Sequence, residues 1–413
     1  MVTAQDVHEL VAAAARSAKA ASASLAEAEP AAITAALHGI AARLEAEREP
    51  VLAANERDVA ELPEGTSPAF ADRLKLTPER LTKVADQIVA LAESPDAEPD
   101  GAVRALPGGA RVEERRRPVG VIGANYEARP NVTVDVASQL LKSRNAGVLR
   151  TGGAALRSAA ELIDRVVAPA YGAAGLDPAA IQLARSSDRE AARALVSFPD
   201  LVPLVILRGS GETTAALARH AAAHGVRTLA HAEGGGVLYV DEAADAELAL
   251  RLVGDSLDRL GVCNRLNLLL LAESRWDELL PRMAARLEEL GIAPSLPPHE
   301  HPLGYEWALD DTRSATVTVA PAADAAAAAR IANDETSGLA AAIVTGDEAA
   351  ARRFLTVYAG TGAFWNASTR LLDGFELLGA PETGINVDHV PGPRGPVTFR
   401  DLYLRQYVVT PGA

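Results

Sequence analysis

The feature that most constrains this chain is an alternation that begins at Val119. Val119-Gly120-Val121-Ile122-Gly123 reads as a buried strand and residues 131–143 as a helix. Gly147-Val148-Leu149-Arg150 is again strand-like, 156–170 helical, and Ile181-Gln182-Leu183 a short strand. Residues 201–207 follow as strand and 212–224 as helix, then 226–229 and 237–240 as short strands. Apolar strands separated by helices of this length build βαβ units, whose parallel strands bury both faces. A second run spans about 244–366, with strands near 266–271, 315–319, 341–344 and 363–365 and helices between them, including 322–331. The predicted fold class is α/β with two sheet units.

The flanks differ. Residues 1–95 read as helices, with Ile33, Leu37, Ile40 and Leu44 at helical spacing. Pro30 and Pro50 mark breaks, and Thr77-Pro78 is a helix start, threonine capping and proline at the first helical position. Around 97–117, Pro99, Pro107, Gly108 and Gly109 lead into a charged run from Arg111 to Arg117, which predicts a polar hairpin standing off the body or a solvated loop. Residues 293–312 hold four prolines and read as a loop. Residues 403–409 form a terminal strand whose partner is the hairpin or another subunit.

Charge and cysteine usage exclude several classes. A net charge of −15 argues against a general nucleic-acid binder, although a local basic pocket can oppose the global sign. No stretch of about 20 apolar residues is free of charge, so no membrane span is expected. One cysteine rules out a disulfide framework and fits a reducing compartment, and the start of the chain lacks the pattern of a signal peptide. A cytoplasmic protein is expected.

That single cysteine, Cys263, lies in Gly261-Val262-Cys263-Asn264-Arg265, between a helical pattern and the apolar run at 266–271. A thiol at such a turn can be presented at the mouth of a sheet as a nucleophile, favoured by positive surroundings. The alternative is a small buried hydrophobe. Arg265 either supports the thiolate or points elsewhere along the strand.

Four strand-end loops collect polar chemistry, where open α/β sheets bind their ligands. In the first, Arg129 can fork onto a carboxylate or phosphate, and Asn131 either donates to an oxyanion or caps the next helix. Arg150-Thr151-Gly152-Gly153 and Arg208-Gly209-Ser210-Gly211 each follow a strand with glycines that let backbone amides approach a phosphate, or are turns without a ligand. Asn366-Ala367-Ser368-Thr369-Arg370 is either a dense anion-binding set or a capped turn. Glu233, before Gly234-Gly235-Gly236, is a candidate base, a cofactor contact or part of a flexible loop.

Several runs strongly resemble the γ-glutamyl phosphate reductase family, a branch of the aldehyde dehydrogenase superfamily. They are Pro118-Val119-Gly120-Val121-Ile122-Gly123, Arg129-Pro130-Asn131-Val132-Thr133-Val134-Asp135, Leu141-Lys142-Ser143, Gly261-Val262-Cys263-Asn264 and Asn366-Ala367-Ser368-Thr369-Arg370. The resemblance covers most of the chain in order, including Asn55-Glu56-Arg57-Asp58. It implies an aldehyde-dehydrogenase-like fold: a Rossmann-type nucleotide-binding domain over 1–99 and 118–240, a catalytic domain over 241–366, a return segment at 367–390, and a small β oligomerisation arm from 100–117 and 391–413. It implies NADPH-dependent reduction of γ-glutamyl phosphate to glutamate 5-semialdehyde and phosphate, in proline biosynthesis, through a cysteine thioester. Cys263 is then the nucleophile and Asn131 the oxyanion donor. Arg129, Asn366, Ser368, Thr369 and Arg370 meet the substrate, while Arg150, Gly152, Gly153, Arg208, Gly209, Ser210 and Gly211 meet the cofactor. Partners are a small acyl phosphate, the upstream kinase, and further copies in a dimer or tetramer.

The chain departs from the family at Arg144, at Ala154-Ala155, at Ser210, at Gly338-Leu339-Ala340 and at 390–396. Glu233 and Glu376, the latter in Phe375-Glu376-Leu377-Leu378-Gly379, look more like general aldehyde dehydrogenases, where such glutamates are a base and a nicotinamide-ribose contact. Two alternatives stay open: a hydrolytic aldehyde dehydrogenase with Glu233 activating water, and a paralogue that binds nucleotide or a kinase without catalysis.

Overall fold

Five helices precede the first strand in this computed structural model, which describes residues 3–96, 101–106, 109–127, 129–209, 211–231, 234–310, 312–388 and 392–411. Thr3 and Asp6 close a capping box on α1 (Ala4–Ala26). Prolines open α2 (Pro30–Ala46), α4 (Pro68–Leu74) and α5 (Pro78–Glu93), and Pro50 sits in the first turn of α3 (Arg48–Ala60). Val7, Val11, Ala15 and Ala18 of α1 and Ile33, Leu37, Ile40 and Leu44 of α2 are buried in one core with the first sheet.

Between α4 and α5 the chain turns sharply. Asn55, 2% exposed on α3, fixes this elbow from both sides: its amide donates to Leu74 O at 2.9 Å, and its oxygen accepts from Leu76 N at 2.7 Å. Thr77 caps α5 by accepting from Arg80 N.

The first sheet holds β3 (Val121–Tyr126), β4 (Ala146–Thr151), β5 (Ile181–Leu183), β6 (Leu204–Arg208) and β7 (Arg227–His231), following the hairpin strands β1 (Gly101–Ala105) and β2 (Arg111–Pro118). Its order is β5-β4-β3-β6-β7 with every pair parallel. This is a doubly wound arrangement whose order reverses between β3 and β6, the switch point where such sheets bind ligands.

The second sheet, in the order β10-β11-β9-β8-β12-β13, is also parallel. It comprises β8 (Gly236–Val240), β9 (Leu266–Ala272), β10 (Ala293–Ser295), β11 (Thr316–Ala322), β12 (Ala340–Val344) and β13 (Gly362–Trp365). The expected boundary after residue 240 needs correcting, because β8 pairs with β9 and β12 at the centre of this sheet. A short apolar run carries no record of which sheet it joins. The proline-rich stretch also contains a strand, β10, at the sheet edge, where Pro294 is tolerated.

A small antiparallel sheet has the order β1-β2-β16, with β16 (Tyr403–Thr410) in register along β2 from Tyr403 opposite Pro118 to Thr410 opposite Arg111. The hairpin therefore supplies the terminal strand's partner. A two-stranded piece, β14 (Gly384–Asn386) with β15 (Gly395–Val397), completes the strands. No helix among the described residues is long and apolar enough to cross a membrane.

Candidate active site

Cys263 sits in the loop between helix Ala246–Asp255 and β9, at the amino end of the β9 strand. Backbone holds one side of the loop: Gly235 N donates to Cys263 O at 2.7 Å and Gly236 N to Arg265 O at 2.6 Å. The approach is close enough to demand glycine. A Cβ on Gly234 would lie 2.8 Å from Cys263 Cα, and one on Gly236 would lie 2.6 Å from Thr369 Oγ1.

The other side is clamped by the segment after β13. Asn264 Nδ2 donates to Arg370 O at 3.1 Å and Leu372 O at 3.0 Å, and Thr369 Oγ1 donates to Asn264 O at 2.8 Å. Arg370 bonds Asn264 Oδ1 and donates from Nε to Asp258 at 2.7 Å. Buried Ser368 meets Ser256, and its hydroxyl accepts from Arg370 N. Asn366 takes a left-handed φ of 52° and exchanges hydrogen bonds with the Thr345 backbone. The expected anion seat at 366–370 thus narrows to Arg370, which faces the cavity beside the thiol, while Asn366, Ser368 and Thr369 do not line it.

That cavity has a volume of about 320 Å³ and opens where the two sheets meet. Cys263, Asn131, Asp135, Arg129 and Arg208 share it, the last two from the carboxyl ends of β3 and β6 at the switch point. Arg259 and Arg370 line a further side, and Arg73, Lys75, Arg80 and Lys83 come from the elbow and α5. Among the described residues, eight cationic ones face three acidic ones there, Asp135, Asp373 and Glu382, in a chain of net charge −15.

Asn131 does not cap the helix that follows. Pro130 occupies the cap position of α6 (Asn131–Lys142), and the Asn131 amide donates to Asp135 Oδ2 at 3.0 Å. Each amide carries two hydrogens, so one is left for a ligand in the cavity. Burial pushes the Asp135 carboxyl up to about 7, against the pull of Arg208 and Asn131. Burial likewise pushes the half-buried Cys263 thiol up, while Arg129 and then Arg208 draw it down and Glu382 and Glu306 oppose them. The Arg129 guanidinium is lowered to about 10 by burial and by Arg208, and stays charged at neutral pH.

Arg265 takes no part. It is fully buried and spends its guanidinium on Leu266 O, Ser314 O and Thr316 O. Arg208, expected at the cofactor, instead reaches the thiol's cavity. Glu376 is exposed on helix Gly374–Leu378 and does not line the cavity, whereas its neighbour Phe375 does. Ser210 and Glu233 lie outside the described residues. The elbow cations, Arg259, Asp135 and Glu382 were missed by sequence reasoning, since charges on an N-terminal helix read as a solvated face.

At the carboxyl end of β4, Arg150 is 6% exposed. Its terminal nitrogens donate to Asn125 Oδ1 at 3.3 Å and Asp188 O at 3.1 Å. Its Nε and the adjacent Thr151 Oγ1 are buried without a hydrogen-bond partner, next to Gly152 and to Gly153, whose Cβ position would crowd Ser187 at 3.1 Å. Beside β6, a Cβ on Gly209 would meet the Glu127 carboxyl at 3.3 Å, and Gly211 is buried at the start of helix Gly211–Ala223. Buried polar atoms left open at a strand end fit a polar ligand that is held there.

The family model described as "Aldehyde dehydrogenase family" matches residues 2–301. The chain belongs to the aldehyde dehydrogenase family. Within that family it is 36% identical over 391 residues to a γ-glutamyl phosphate reductase of Thermobifida fusca, with 91% of each chain covered. It is 36% identical over 413 residues to the enzyme of the same name from Chloroflexus aggregans, with 94% of each covered. Among solved structures, the γ-glutamyl phosphate reductase of Thermotoga maritima superposes with a TM-score of 0.86 at 25% identity, over 97% of this chain and 98% of that one. This aldehyde dehydrogenase family member therefore shares its fold with that enzyme over nearly the whole of both chains.

Proposed function

We propose that this chain reduces γ-glutamyl phosphate to glutamate 5-semialdehyde, releasing phosphate, with Cys263 as covalent nucleophile. The observation that carries the reading is the pairing of the lone thiol with Arg129 and Arg208 in a cavity where cations outnumber acids. An acyl phosphate brings a dianionic leaving group, and guanidiniums are suited to hold it. The Cys263 thiolate attacks the acyl carbon; the C–S bond forms, the C–O bond to phosphate breaks, and phosphate departs with the electron pair. The free hydrogen of the Asn131 amide is available to the oxyanion of the tetrahedral stage. Cys263 is released as the aldehyde leaves.

The family implies a nicotinamide cofactor, and the reading specifies NADPH. Arg150, Thr151, Gly152 and Gly153, with Gly209 and Gly211 beside β6, would hold it: the open Nε and hydroxyl at β4 fit a phosphorylated ribose better than a bare one. A bound reduced nicotinamide supplies a hydride to an acyl carbon. Arg129 and Arg208 favour loss of phosphate over attack by water. The small β sheet fits a subunit-contact arm, since β16 is an edge strand with Leu404, Tyr407 and Val409 each more than half exposed.

The test is Cys263→Ala. Turnover should fall by several orders of magnitude while NADPH binding stays near that of the wild type. Near wild-type turnover would end the covalent reading.

A further inference from the structure

Arg129 and Arg208 suffice for one dianionic phosphate, yet the cavity wall carries a second set of cations farther out along the chain. Lys75 lies on the elbow between α4 and α5, and Lys83 one turn into α5 past Arg80. The ammonium group of neither lysine makes a salt bridge or hydrogen bond among the described residues, and both residues are exposed. Their neighbours are already committed. Arg80 donates to Asp72 Oδ1 at 2.5 Å, and to Asp72 O and Lys75 O at 2.6 Å each. Arg259, from the cysteine loop's side, donates to Asp72 Oδ2 at 3.2 Å.

Asp72 thereby ties the elbow to the wall that bears Cys263, and buried Asn55 fixes the elbow from below. The two lysines are thus mounted on a braced support in the wall of the cavity that Arg129 and Arg208 also line. A cation left open on a rigid wall of a ligand cavity is placed for a charge on the ligand itself.

We propose that this elbow is the seat for a carboxylate on the substrate, with Lys75 and Lys83 holding the end of the acyl chain remote from the thiol. This rests on the acyl-phosphate reading of the site. The lysines thereby set the preference for chains that carry this terminal charge over uncharged ones.

The experiment is the double variant Lys75→Gln/Lys83→Gln in the full chain. In the reverse direction, with glutamate 5-semialdehyde, NADP and phosphate, KM for the aldehyde should rise roughly tenfold and the KM for phosphate should hold, as expected for two exposed charge contacts. A rise in the phosphate KM alone would overturn the carboxylate seat and make the lysines a phosphate site. An unchanged KM for both would overturn it as well.

A second readout needs no turnover. Cys263 is the only thiol, so its alkylation by iodoacetamide reports occupancy of the cavity. Glutarate, whose two carboxylates are separated by a chain of the substrate's length, should slow alkylation of the wild type, and several-fold more of it should be needed in the double variant; no protection of the wild type, or an unchanged protecting concentration, contradicts the proposal. If the wild type fails to turn over the semialdehyde at all, the acyl-phosphate reading falls, and glutarate protection still decides the seat.

Discussion

The side-chain amide of Asn131 donates to the Asp135 carboxyl at 3.0 Å, one helical turn along α6. The bond turns a residue that sequence alone leaves between cap and oxyanion donor into one aimed at the cavity. It also places a half-buried carboxyl in the cavity that Arg129 and Arg208 share with the thiol. Arg208 and Asn131 pull that carboxyl down, Glu382 pushes it up, and burial dominates.

Asp135 therefore makes stability depend on pH. Its pKa rises from 3.8 to about 7 on folding, so the native state binds more protons than the unfolded chain between those values. Stability must then fall as pH rises through about 4 to 7. Asp135→Asn should flatten that part of the profile, read as the thermal midpoint across pH. Parallel profiles for the two proteins would remove Asp135 as the titrating group.

Arg208 should tune the nucleophile. Its positive charge draws the Cys263 thiol down, so Arg208→Gln should move the midpoint of iodoacetamide alkylation to higher pH. Below the midpoint the rate should drop by up to about tenfold for each unit of that move. A profile identical to the wild type's would mean that Arg208 does not act on the thiol.

Arg370 has two tasks, lining the cavity and clamping Asn264 next to the nucleophile. Arg370→Ala should lower kcat/KM for the semialdehyde by roughly ten- to a hundredfold, the scale of a lost charge-assisted bond. Nucleotide affinity should hold, because Arg370 lines the thiol's cavity and no residue of β4 does. Loss of nucleotide binding with an intact substrate KM would contradict this division of the site.

The sequence showed the alternation of strands and helices, the helical start and the thiol at the turn before β9, because apolar periodicity and a lone cysteine are local signals. It could not show that β8 belongs with β9 and β12, since a five-residue apolar strand carries no label for its sheet. It also left Asn366, Ser368 and Thr369 between an anion seat and a capped turn. Asn366 bonds the Thr345 backbone, Thr369 the Asn264 carbonyl and Ser368 the Ser256 hydroxyl, and the last two contacts lie more than a hundred residues away. The elbow lysines were hidden for the same reason: nothing near them in the chain indicates what they face.

Arg150 should set the choice of nucleotide. Glu161, a surface carboxylate within reach in sequence, pairs with Arg165 instead, which leaves Arg150 to Asn125, Asp188 and a ligand. The wild type should prefer NADPH over NADH, and Arg150→Ala should narrow the gap by roughly ten- to a hundredfold. Titrating both nucleotides against both proteins checks this. Equal affinities in the wild type would contradict it, and an unchanged ratio in the variant would remove Arg150 from the discrimination.

The most direct test of the acyl-phosphate reading is the phosphate dependence of aldehyde oxidation. Glutamate 5-semialdehyde and NADP are mixed with the enzyme, with and without inorganic phosphate, NADPH formation is followed, and hydroxylamine added only to samples from which the enzyme has been removed converts any acyl phosphate to a hydroxamate. The account predicts NADPH only when phosphate is present, with hydroxamate formed in step. Steady NADPH formation without phosphate, yielding free glutamate, would contradict it and identify a hydrolytic aldehyde dehydrogenase.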